Sequence, residues 1–516
     1  MRFWVTQIKF GLFIRKNRNR SGSVSIQIIE KFGRKNKVLR TVGTSSDPAE
    51  LQRLEALAKA EIKRIRGQKE LFSEKEDNYA KNLVSSIGNH QIKLFGDGVV
   101  LGSIFEWIGY PEAEADPLFR QLVLCRIMHP CSKLKTAEYL YHYHGTDVKA
   151  DFIYRFMDHL LENAAQKIED ITFRYCREKR KEDGLSIVFY DVTTLYFEAA
   201  DEDGIRQTGF SKDGKHQHPQ IKLGLLVSPK GFPLAFDIFE GRRFEGKTLI
   251  PVLDKVTTRF GIEKPIVVAD AGLLSEKNIV ALIEGGYRFV LAGRIKNENG
   301  EIKSAIHSLG VSEAKPGEIK KEGHRLIVSY SEKRAKKDRF NRERGLKRLE
   351  EKLGKGKLKK SSINNRGYNK YLKLEGKLKV TIDYEKFSLD QRWDGLKGYM
   401  TNTGLSPEEV IGSYSSLWRV EKAFRISKSD LKARPIFHRL EKRIRAHILI
   451  CFAAYAVYVE LERILEEKRA GFSAAKAIEM MKRMYQIEIV LPASKELARI
   501  PLKLDHLQNQ LLDYFS

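Results

Sequence analysis

The chain has 516 residues, and its 93 lysines and arginines exceed its 67 aspartates and glutamates, giving a formal net charge of +26. A chain this long exceeds one typical core, so several domains are expected, and an apolar content of 42% is ample to fold them. The charge favours a polyanionic partner, of which nucleic acid is the commonest, over a basic surface without a partner.

The cysteines and the apolar stretches argue against several classes of protein. No two cysteines form a CxxC pair, so neither a disulfide framework nor a zinc ribbon is supported. The N-terminus has no signal-peptide pattern, and the longest apolar stretch, residues 448–459, is too short to span a bilayer and is expected to be a buried helix. We expect a cytoplasmic, nucleoid-associated protein with no membrane partner and with buried thiols at Cys125, Cys131, Cys176 and Cys451.

The first 180 residues predict a small β unit followed by helices. Residues 1–45 alternate apolar and polar, and Asp47 followed by Pro48 is typical of a helix start. We assign residues 1–75 to an N-terminal β/α unit that could bind DNA ends. Residues 76–180 form a helical region rich in basic residues, for which DNA binding and a plain helical scaffold both stay open.

From residue 185 the pattern changes to alternating strands and helices. Apolar runs predict five strands, the first three as a meander and the last two each preceded by a helix. This order is typical of an RNase H-like core with a mixed sheet. The predicted fold is therefore multidomain α/β, with a catalytic domain formed by residues 181–296 and 386–465.

A basic insertion and a C-terminal tail complete the predicted organisation. Residues 297–385 form a β-containing insertion, within which residues 333–379 hold 19 Lys or Arg against 5 Asp or Glu. This excess favours phosphate contact over a merely solvated face. Residues 466–516 are predicted as C-terminal helices, and the tail from Ser473 onward could form a dimer interface.

Two aspartates follow hydrophobic runs. Asp191 and Asp270 are each predicted at the carboxyl end of a strand, where ligand sites in open α/β sheets lie. Either aspartate alone could be a turn former or a helix cap. Together with a third carboxylate they would suit a phosphodiester-cleaving site, in which clustered carboxylates hold two Mg²⁺ ions roughly 3.5–4 Å apart.

The third carboxylate lies in a segment predicted as one helix. Tyr414, Glu421 and Lys428 are seven residues apart, so a continuous helix would place them on one face, towards the aspartates. Trp418 and Phe424 are expected to pack on the core. The alternative is a surface helix with a Glu–Lys face, which explains the bulky neighbours of Glu421 poorly.

These segments resemble the DDE transposases of bacterial insertion sequences, in the branch with the YREK signature. Tyr414, Glu421 and Lys428 match that signature at its spacing, whereas its arginine position is occupied by Leu417. Arg419 or Arg425 could supply the missing charge.

The two strand segments extend the same resemblance. Asp191-Val-Thr-Thr is similar to the first motif of this branch and Asp270-Ala-Gly to the second. The resemblance covers roughly residues 185–460. It implies binding of terminal inverted repeats, hydrolytic nicking, often a hairpin on the element end, and strand transfer by the 3′-OH. It also implies nuclease activity during DNA recombination, with Asp191, Asp270 and Glu421 as catalytic metal ligands for two Mg²⁺ ions, which Mn²⁺ could replace.

The resemblance further implies partners and DNA contacts. The expected partner is double-stranded DNA, as terminal repeats and target, bound by a homodimer in the synaptic complex. The position of a base-stacking tryptophan in some members is Lys397 here, and Trp393 lies nearby, where it could stack a base or pack in the core. The residues predicted to bind DNA are Tyr414, Arg419, Arg425, Lys428, Arg434, Lys397 and Trp393.

Two other readings of the whole chain stay open. One is a catalytically inactive or repurposed sequence-specific DNA-binding protein, and the other is a structure-specific nuclease on the same core. Several smaller motifs are also ambiguous. The pairs at residues 142/144 and 216/218 are interpreted as surface or DNA-facing histidines rather than metal ligands. Arg242, Arg243 and Lys247 could contact phosphate or pair with Glu240 and Glu245.

Overall fold

A computed structural model describes the larger part of the chain, which divides into two compact units, Met1–Asn89 and His90–Ser516. The described residues are 11–33, 35–66, 84–85, 87–182, 186–198, 201–211, 214, 217–261, 263–270, 272, 275–358, 360–364, 367–375, 379–490 and 494–515. The finer domain boundaries predicted from the sequence stay predictions.

The first unit is a small sheet with one helix. Its strands β1 (Gly11–Arg18), β2 (Val24–Phe32) and β3 (Lys35–Ser45) pair antiparallel in that order. Helix α1 (Pro48–Arg66) begins where the sequence predicts, because Asp47 Oδ1 accepts a hydrogen bond from the Ala49 amide at 3.1 Å. The alternating strand and the helix share a core formed by Ile26, Ile28, Leu54, Ala58 and Ile62.

The second unit opens with a strand and a group of helices, confirming the helical character predicted there. The elements are β4 (Ile92–Leu94), α2 (Gly96–Ile108), α3 (Pro117–Met128), α4 (Lys133–Tyr139), α5 (Ala150–Asn163) and α6 (Ala165–Glu178). A π-helical turn, Leu140–His144, follows α4. Leu118, Leu122 and Phe156 are buried in the same core as the large sheet, whereas Phe152 is exposed. Whether these helices bind DNA stays a prediction.

The centre of the second unit is an eight-stranded mixed sheet. Its eight strands are β5 (Ile187–Tyr196), β6 (Gln220–Val227), β7 (Pro233–Glu240), β8 (Ile266–Ala269), β9 (Arg288–Gly293), β10 (Gly317–Lys321), β11 (His324–Tyr330) and β14 (Leu396–Thr401). The two strands between β11 and β14 in the chain, β12 (Leu372–Glu375) and β13 (Lys379–Ile382), form a separate hairpin. The order in the sheet is β10-β11-β14-β9-β8-β5-β6-β7. β5 pairs parallel with β8 and β8 with β9, and the other pairings are antiparallel.

The five predicted strands correspond to β5 through β9. Helices α7 (Leu249–Phe260) and α8 (Glu276–Glu284) precede β8 and β9, as the alternation predicts. All eight residues of β6 are buried, including Gln220 and Lys222, as expected of a strand in the interior of the sheet. The mixed α/β architecture with one large sheet is therefore confirmed.

The insertion is divided between the large sheet and a small core of its own. Its helices are α9 (Gly300–Ser308), α10 (Glu332–Gly354) and α11 (Tyr384–Gln391). β10 and β11 extend the large sheet through β14, whereas α10 and the β12–β13 hairpin enclose Leu349, Tyr371, Leu372, Val380 and Ile382. Arg342 on α10 forms a buried ion pair with Asp394, which fastens this basic helix to the turn before β14.

The C-terminal region begins with helices. These are α12 (Pro407–Ser415), α13 (Trp418–Arg425), a π-helical turn (Ile426–Asp430), α14 (Glu441–Glu467) and α15 (Ala474–Met481). Residues 448–459 lie within α14 and are buried, as predicted. Within the described parts of the chain, no helix combines the length and the apolar character needed to cross a membrane.

The tail is not wholly helical, so that prediction was wrong. β15 (Tyr485–Val490) pairs antiparallel with both β16 (Leu497–Pro501) and β4, and only then does α16 (His506–Asp513) follow. The physical reason is the alternation of polar and β-branched residues in Tyr485-Gln-Ile-Glu-Ile-Val, which suits a strand paired on both edges.

Candidate active site

The two predicted aspartates lie side by side on neighbouring strands. The parallel register pairs Tyr190 with Ala269, so the next residues, Asp191 and Asp270, follow at the same level of the sheet. Asp270 comes directly after β8, as predicted. Asp191 does not end its strand, which corrects the prediction. β5 continues to Tyr196 because its antiparallel partner β6 extends further than β8 does.

The segment carrying Glu421 is not one continuous helix, so that prediction was wrong. Helix α12 ends at Ser415 and α13 begins at Trp418. The hydroxyls of Ser415 and Ser416 donate to the Gly412 carbonyl at 2.7 and 3.4 Å, a local bond that competes with regular helix. Tyr414, Glu421 and Lys428 consequently lie on α12, α13 and the π-helical turn, not on one face of one helix.

Tyr414 nevertheless reaches the aspartates. Helix α12 packs against β8, β9 and β14, and the Tyr414 hydroxyl donates a hydrogen bond to Asp270 Oδ1 at 3.1 Å. The ring is buried and meets the Tyr399 ring edge-on, with a centroid distance of 5.1 Å. Burial, followed by the charge of Asp270, raises the pKa of Tyr414, so the hydroxyl stays protonated and available as a donor.

A lysine lies within the electrostatic range of two carboxylates. Lys397 Nζ, on β14, is 4.1 Å from the centroid of the Tyr414 ring. Burial lowers the pKa of Lys397, Arg334 lowers it further, and the charges of Asp270 and Glu421 partly oppose these effects. Helix α13, which carries the exposed Glu421, packs against β5, the strand of Asp191. Asp191, Asp270, Glu421, Tyr414 and Lys397 therefore belong to one region.

Two residues that the sequence reasoning missed adjoin this region. Arg334, in the first turn of α10, acts on Lys397 and on Tyr399, yet in the sequence it is one of many cations in a basic run. Glu245 lies beside the loop after Asp270, since a Cβ added to Gly272 would lie 3.2 Å from Glu245 Oε2. The only sequence signal for Glu245 was its place after β7, where pairing with a nearby cation seemed a sufficient role.

Other residues of the 414–428 segment contact parts of the molecule away from the two aspartates. Arg419 lies 5.8 Å from the Trp418 ring and lines a different pocket, near Gly231. Trp418 is 54% exposed, so its predicted core packing was wrong, whereas Phe424 is buried as predicted. Arg425 is exposed and close enough to Tyr458 on α14 to influence its pKa.

Two further predicted DNA contacts lie on other elements. Trp393 packs against His307, with ring centroids 4.4 Å apart, in the turn that precedes β14. The Arg434 guanidinium lies 5.6 Å from the centroid of the Tyr196 ring and lines a cavity of its own.

The smaller motifs have structural partners. His144 lies 3.3 Å from the buried Asp97, and His218 contacts the Phe197 carbonyl; His216 lies outside the described residues. Arg243 pairs with Glu240 at 3.4 Å, one of the two roles predicted for it. Arg242 pairs with Glu202 at 3.0 Å instead.

The three carboxylates suit a divalent ion by donor type and by their placement on neighbouring elements. Mg²⁺ prefers carboxylate oxygens and keeps several waters, so it requires few protein ligands. Among the residues that the structure describes, however, no group of three His, Cys, Asp or Glu side chains is close enough to hold an ion. The Lys397 ammonium lies within electrostatic range of both Asp270 and Glu421.

Comparison with known proteins defines the class of this chain. Residues 182–457 match the family described as the transposase DDE domain. The match covers more than half of the 516 residues, and the chain belongs to this family of DNA-cleaving and DNA-transferring enzymes.

Other comparisons find more distant similarity or none. A cryo-EM structure of a piggyBac transposase synaptic complex with hairpin DNA is 10% identical, with a TM-score of 0.37, over 75% of this chain and 78% of that chain. No curated protein sequence matches the chain.

Proposed function

We propose that this protein is the transposase of a bacterial insertion sequence, which binds the terminal inverted repeats, cleaves the DNA strands at the element ends and transfers them to a target. The observation that carries the proposal is the Tyr414–Asp270 hydrogen bond beside Lys397 and Glu421, at the level of the sheet where Asp191 lies. Family membership supplies the reaction class. The strand order β7-β6-β5-β8-β9 supports an RNase H-like core.

The carboxylates give the site its catalytic role in this proposal. Asp191, Asp270 and Glu421 would hold two Mg²⁺ ions, or Mn²⁺ in their place, and the bound ions would activate the attacking oxygen and stabilise the leaving oxygen. Tyr414 is a positioning residue, because its hydrogen bond fixes the orientation of the Asp270 carboxylate. Its raised pKa keeps that donor protonated at neutral pH.

Cations around the carboxylates supply the phosphate contacts. Lys397 lies on β14 and Arg334 on α10, and we propose that both bind the phosphates next to the scissile bond. Arg425 and Lys428, which follow Glu421, would contact the DNA further along, and the net charge of +26 supports association with the whole duplex. The YREK arginine position is held by the buried Leu417, so that contact must come from another residue.

A DNA cleavage and joining assay tests this proposal. The full-length protein is incubated with DNA carrying the inverted repeats that flank its gene, with Mg²⁺ or with a chelator. We expect nicks at the repeat ends that require the metal, and joining of a pre-cut 3′-OH end to a target plasmid. Nicking without joining would favour the structure-specific nuclease. Repeat binding without nicking would favour the inactive DNA-binding protein.

The synaptic assembly is a separate part of the proposal. Two element ends must be held together, and we propose a homodimer in that complex with the C-terminal tail as its interface. The tail exposes Val490, Leu497 and Ile500 on β15 and β16, which supports this assignment. Mass measurement of the protein with and without repeat DNA tests it.

A further inference from the structure

A second basic site lies apart from the carboxylates. A cavity of about 520 Å³, within the range of small-ligand sites, opens between the C-terminal end of α3, the start of α4 and the segment that follows the π-helical turn after Glu421. The cationic and histidine side chains that line it include Arg126, Lys133, Lys135, Lys432, Arg434 and His438.

The inner wall of this cavity holds two buried cations. Arg126 is 5% exposed and Lys133 is 3% exposed. Arg126 Nη2 donates to the Cys131 carbonyl at 3.2 Å, but its buried Nε has no hydrogen-bond partner among the described residues. Within the same part of the chain, no ion pair joins Lys133 to a carboxylate. Buried charges normally have a partner of opposite sign, so an anion bound in the cavity would supply the counter-charge that these two residues lack.

The acidic side chain that acts on His438 is already engaged. Asp158 lies 3.1 Å from Arg443 and 3.4 Å from Lys442, so it has little charge left to offer the cavity. Burial, reinforced by Lys133 and Arg126, lowers the pKa of His438 to about 3. Burial and Arg126 lower the pKa of Lys133 to about 7. Burial is the main cause of both pKa shifts, and the neighbouring cations add to it.

We propose that this cavity binds a phosphate group. Arg126 and Lys133 would contact its oxygens from inside, while the exposed Lys135 and Lys432 attract it at the mouth. A metal cation is disfavoured by the same charges, and an apolar ligand would leave the buried cations unpaired.

The position of the cavity favours a phosphate of the DNA backbone, a refinement that rests on the proposed function. Arg434 at its edge contacts the ring of Tyr196, which lies on β5 five residues after Asp191, or about 17 Å along the strand. That distance corresponds to on the order of five base pairs of duplex. A DNA strand leaving the carboxylates could therefore reach the cavity.

Calorimetric titration of the full-length protein with inorganic phosphate, at constant ionic strength set with chloride, tests the site itself. Lys133→Met should weaken phosphate binding about tenfold or more, and Lys135→Gln, an exposed change that spares the fold, should weaken it less. The exposed Lys179→Met is the matched control and should bind as the wild type does. Phosphate should also raise the pKa of His438 in NMR titrations.

Salt-dependent binding of a duplex tests the source of the phosphate. Loss of one backbone contact lowers the slope of log affinity against log salt by about one, so Lys133→Met and Lys135→Gln should each lower it while Lys179→Met does not. Weakened phosphate binding with an unchanged slope would assign the cavity to free phosphate. No phosphate binding by the wild type and unchanged slopes would overturn the proposal, whatever the cleavage assay shows.

Discussion

The ammonium of Lys397 lies 4.1 Å from the centroid of the Tyr414 ring, whose hydroxyl in turn donates to Asp270. Lys397 and Tyr414 come from the consecutive elements β14 and α12, whereas Asp270 follows β8, far earlier in the chain. The pairing of β14 with β9 and the packing of α12 on β8, β9 and β14 bring them together. A cation on a tyrosine face is favourable in itself, so this stack stabilises the arrangement before any DNA binds.

Neutralising any of the three carboxylates should abolish cleavage while DNA binding persists. Asp191→Asn, Asp270→Asn and Glu421→Gln keep the side-chain size but remove a metal ligand. We expect strand cleavage to fall by about 10³-fold or more, since each ligand supports several kcal/mol of transition-state stabilisation. Quantified nicking of the repeat substrate and an electrophoretic binding assay measure the two effects.

Glu276→Gln, an exposed change on α8, is the matched control and should cleave normally. If one of the three variants retained wild-type cleavage, that carboxylate would be removed from the site.

Tyr414→Phe should slow cleavage with little change in DNA affinity. The variant deletes only the donor to Asp270, and hydrogen bonds to charged groups contribute about 1.5–3 kcal/mol, so the rate should fall about tenfold or more. Single-turnover cleavage measures it. Tyr455→Phe removes an equally buried hydroxyl, which donates to the Gly231 carbonyl at 3.0 Å, and should leave the rate unchanged. Equal losses in both variants would point to general destabilisation.

The contribution of Lys397 to DNA binding should be lost at a lower pH than that of an ordinary lysine. Burial lowers the pKa of Lys397 from its usual 10.5, so its positive charge disappears as the pH rises through that lower value. Lys397→Arg keeps its charge throughout. The affinity of the wild type relative to Lys397→Arg should therefore decrease from neutral to alkaline pH in anisotropy titrations. A constant ratio up to about pH 10 would contradict the prediction.

Glu460→Gln should destabilise the fold by about 1–3 kcal/mol, because the buried Arg180 keeps its ion pair with Glu182 but loses the charge of Glu460. Glu460 on α14 is 0% exposed, pairs with the buried Arg180 and accepts from Tyr175 at 2.8 Å. Urea unfolding measures the loss. Glu462→Gln, which breaks a more exposed ion pair with Lys422, should cost about 1 kcal/mol or less.

The stability lost in Glu460→Gln should depend on pH. Burial raises the pKa of Glu460, but Arg463 and Arg180 outweigh it and hold that pKa below the usual 4.5. The stabilisation is therefore complete above pH 4.5 and disappears as the pH falls through the lower folded-state value. The stability gap between wild type and variant should be constant at neutral pH and narrow in acid.

The sequence predicted the parts of the fold that depend on local pattern. Strands β5 through β9 and their helices were predicted because buried runs and caps are local signals. The length of β5 beyond Asp191 depends on its partner β6, and the break at Ser416 depends on serine hydroxyls bonding to Gly412. Neither is visible in hydrophobic periodicity.

The site residues, too, could be predicted from the sequence only in part. The motifs indicated Asp191, Asp270, Glu421 and Tyr414, yet nothing in the sequence placed Lys397 on the Tyr414 ring. That contact requires helix α12 to pack on β14, a tertiary contact that hydrophobic periodicity does not report. Arg334 was hidden for a related reason, because only folding separates it from the other cations of α10.

The pairing of β15 with β4 links chain synthesis to folding. The strand at residues 92–94 has its partner at residues 485–487, so the three-stranded sheet cannot form until residues 485–501 have left the ribosome. A product without β15 would leave the edge of β4 uncovered, next to the π-helical turn that follows α4. The second unit therefore gains this sheet only after residues separated by almost 400 positions have both been synthesised, so this part of the fold forms late.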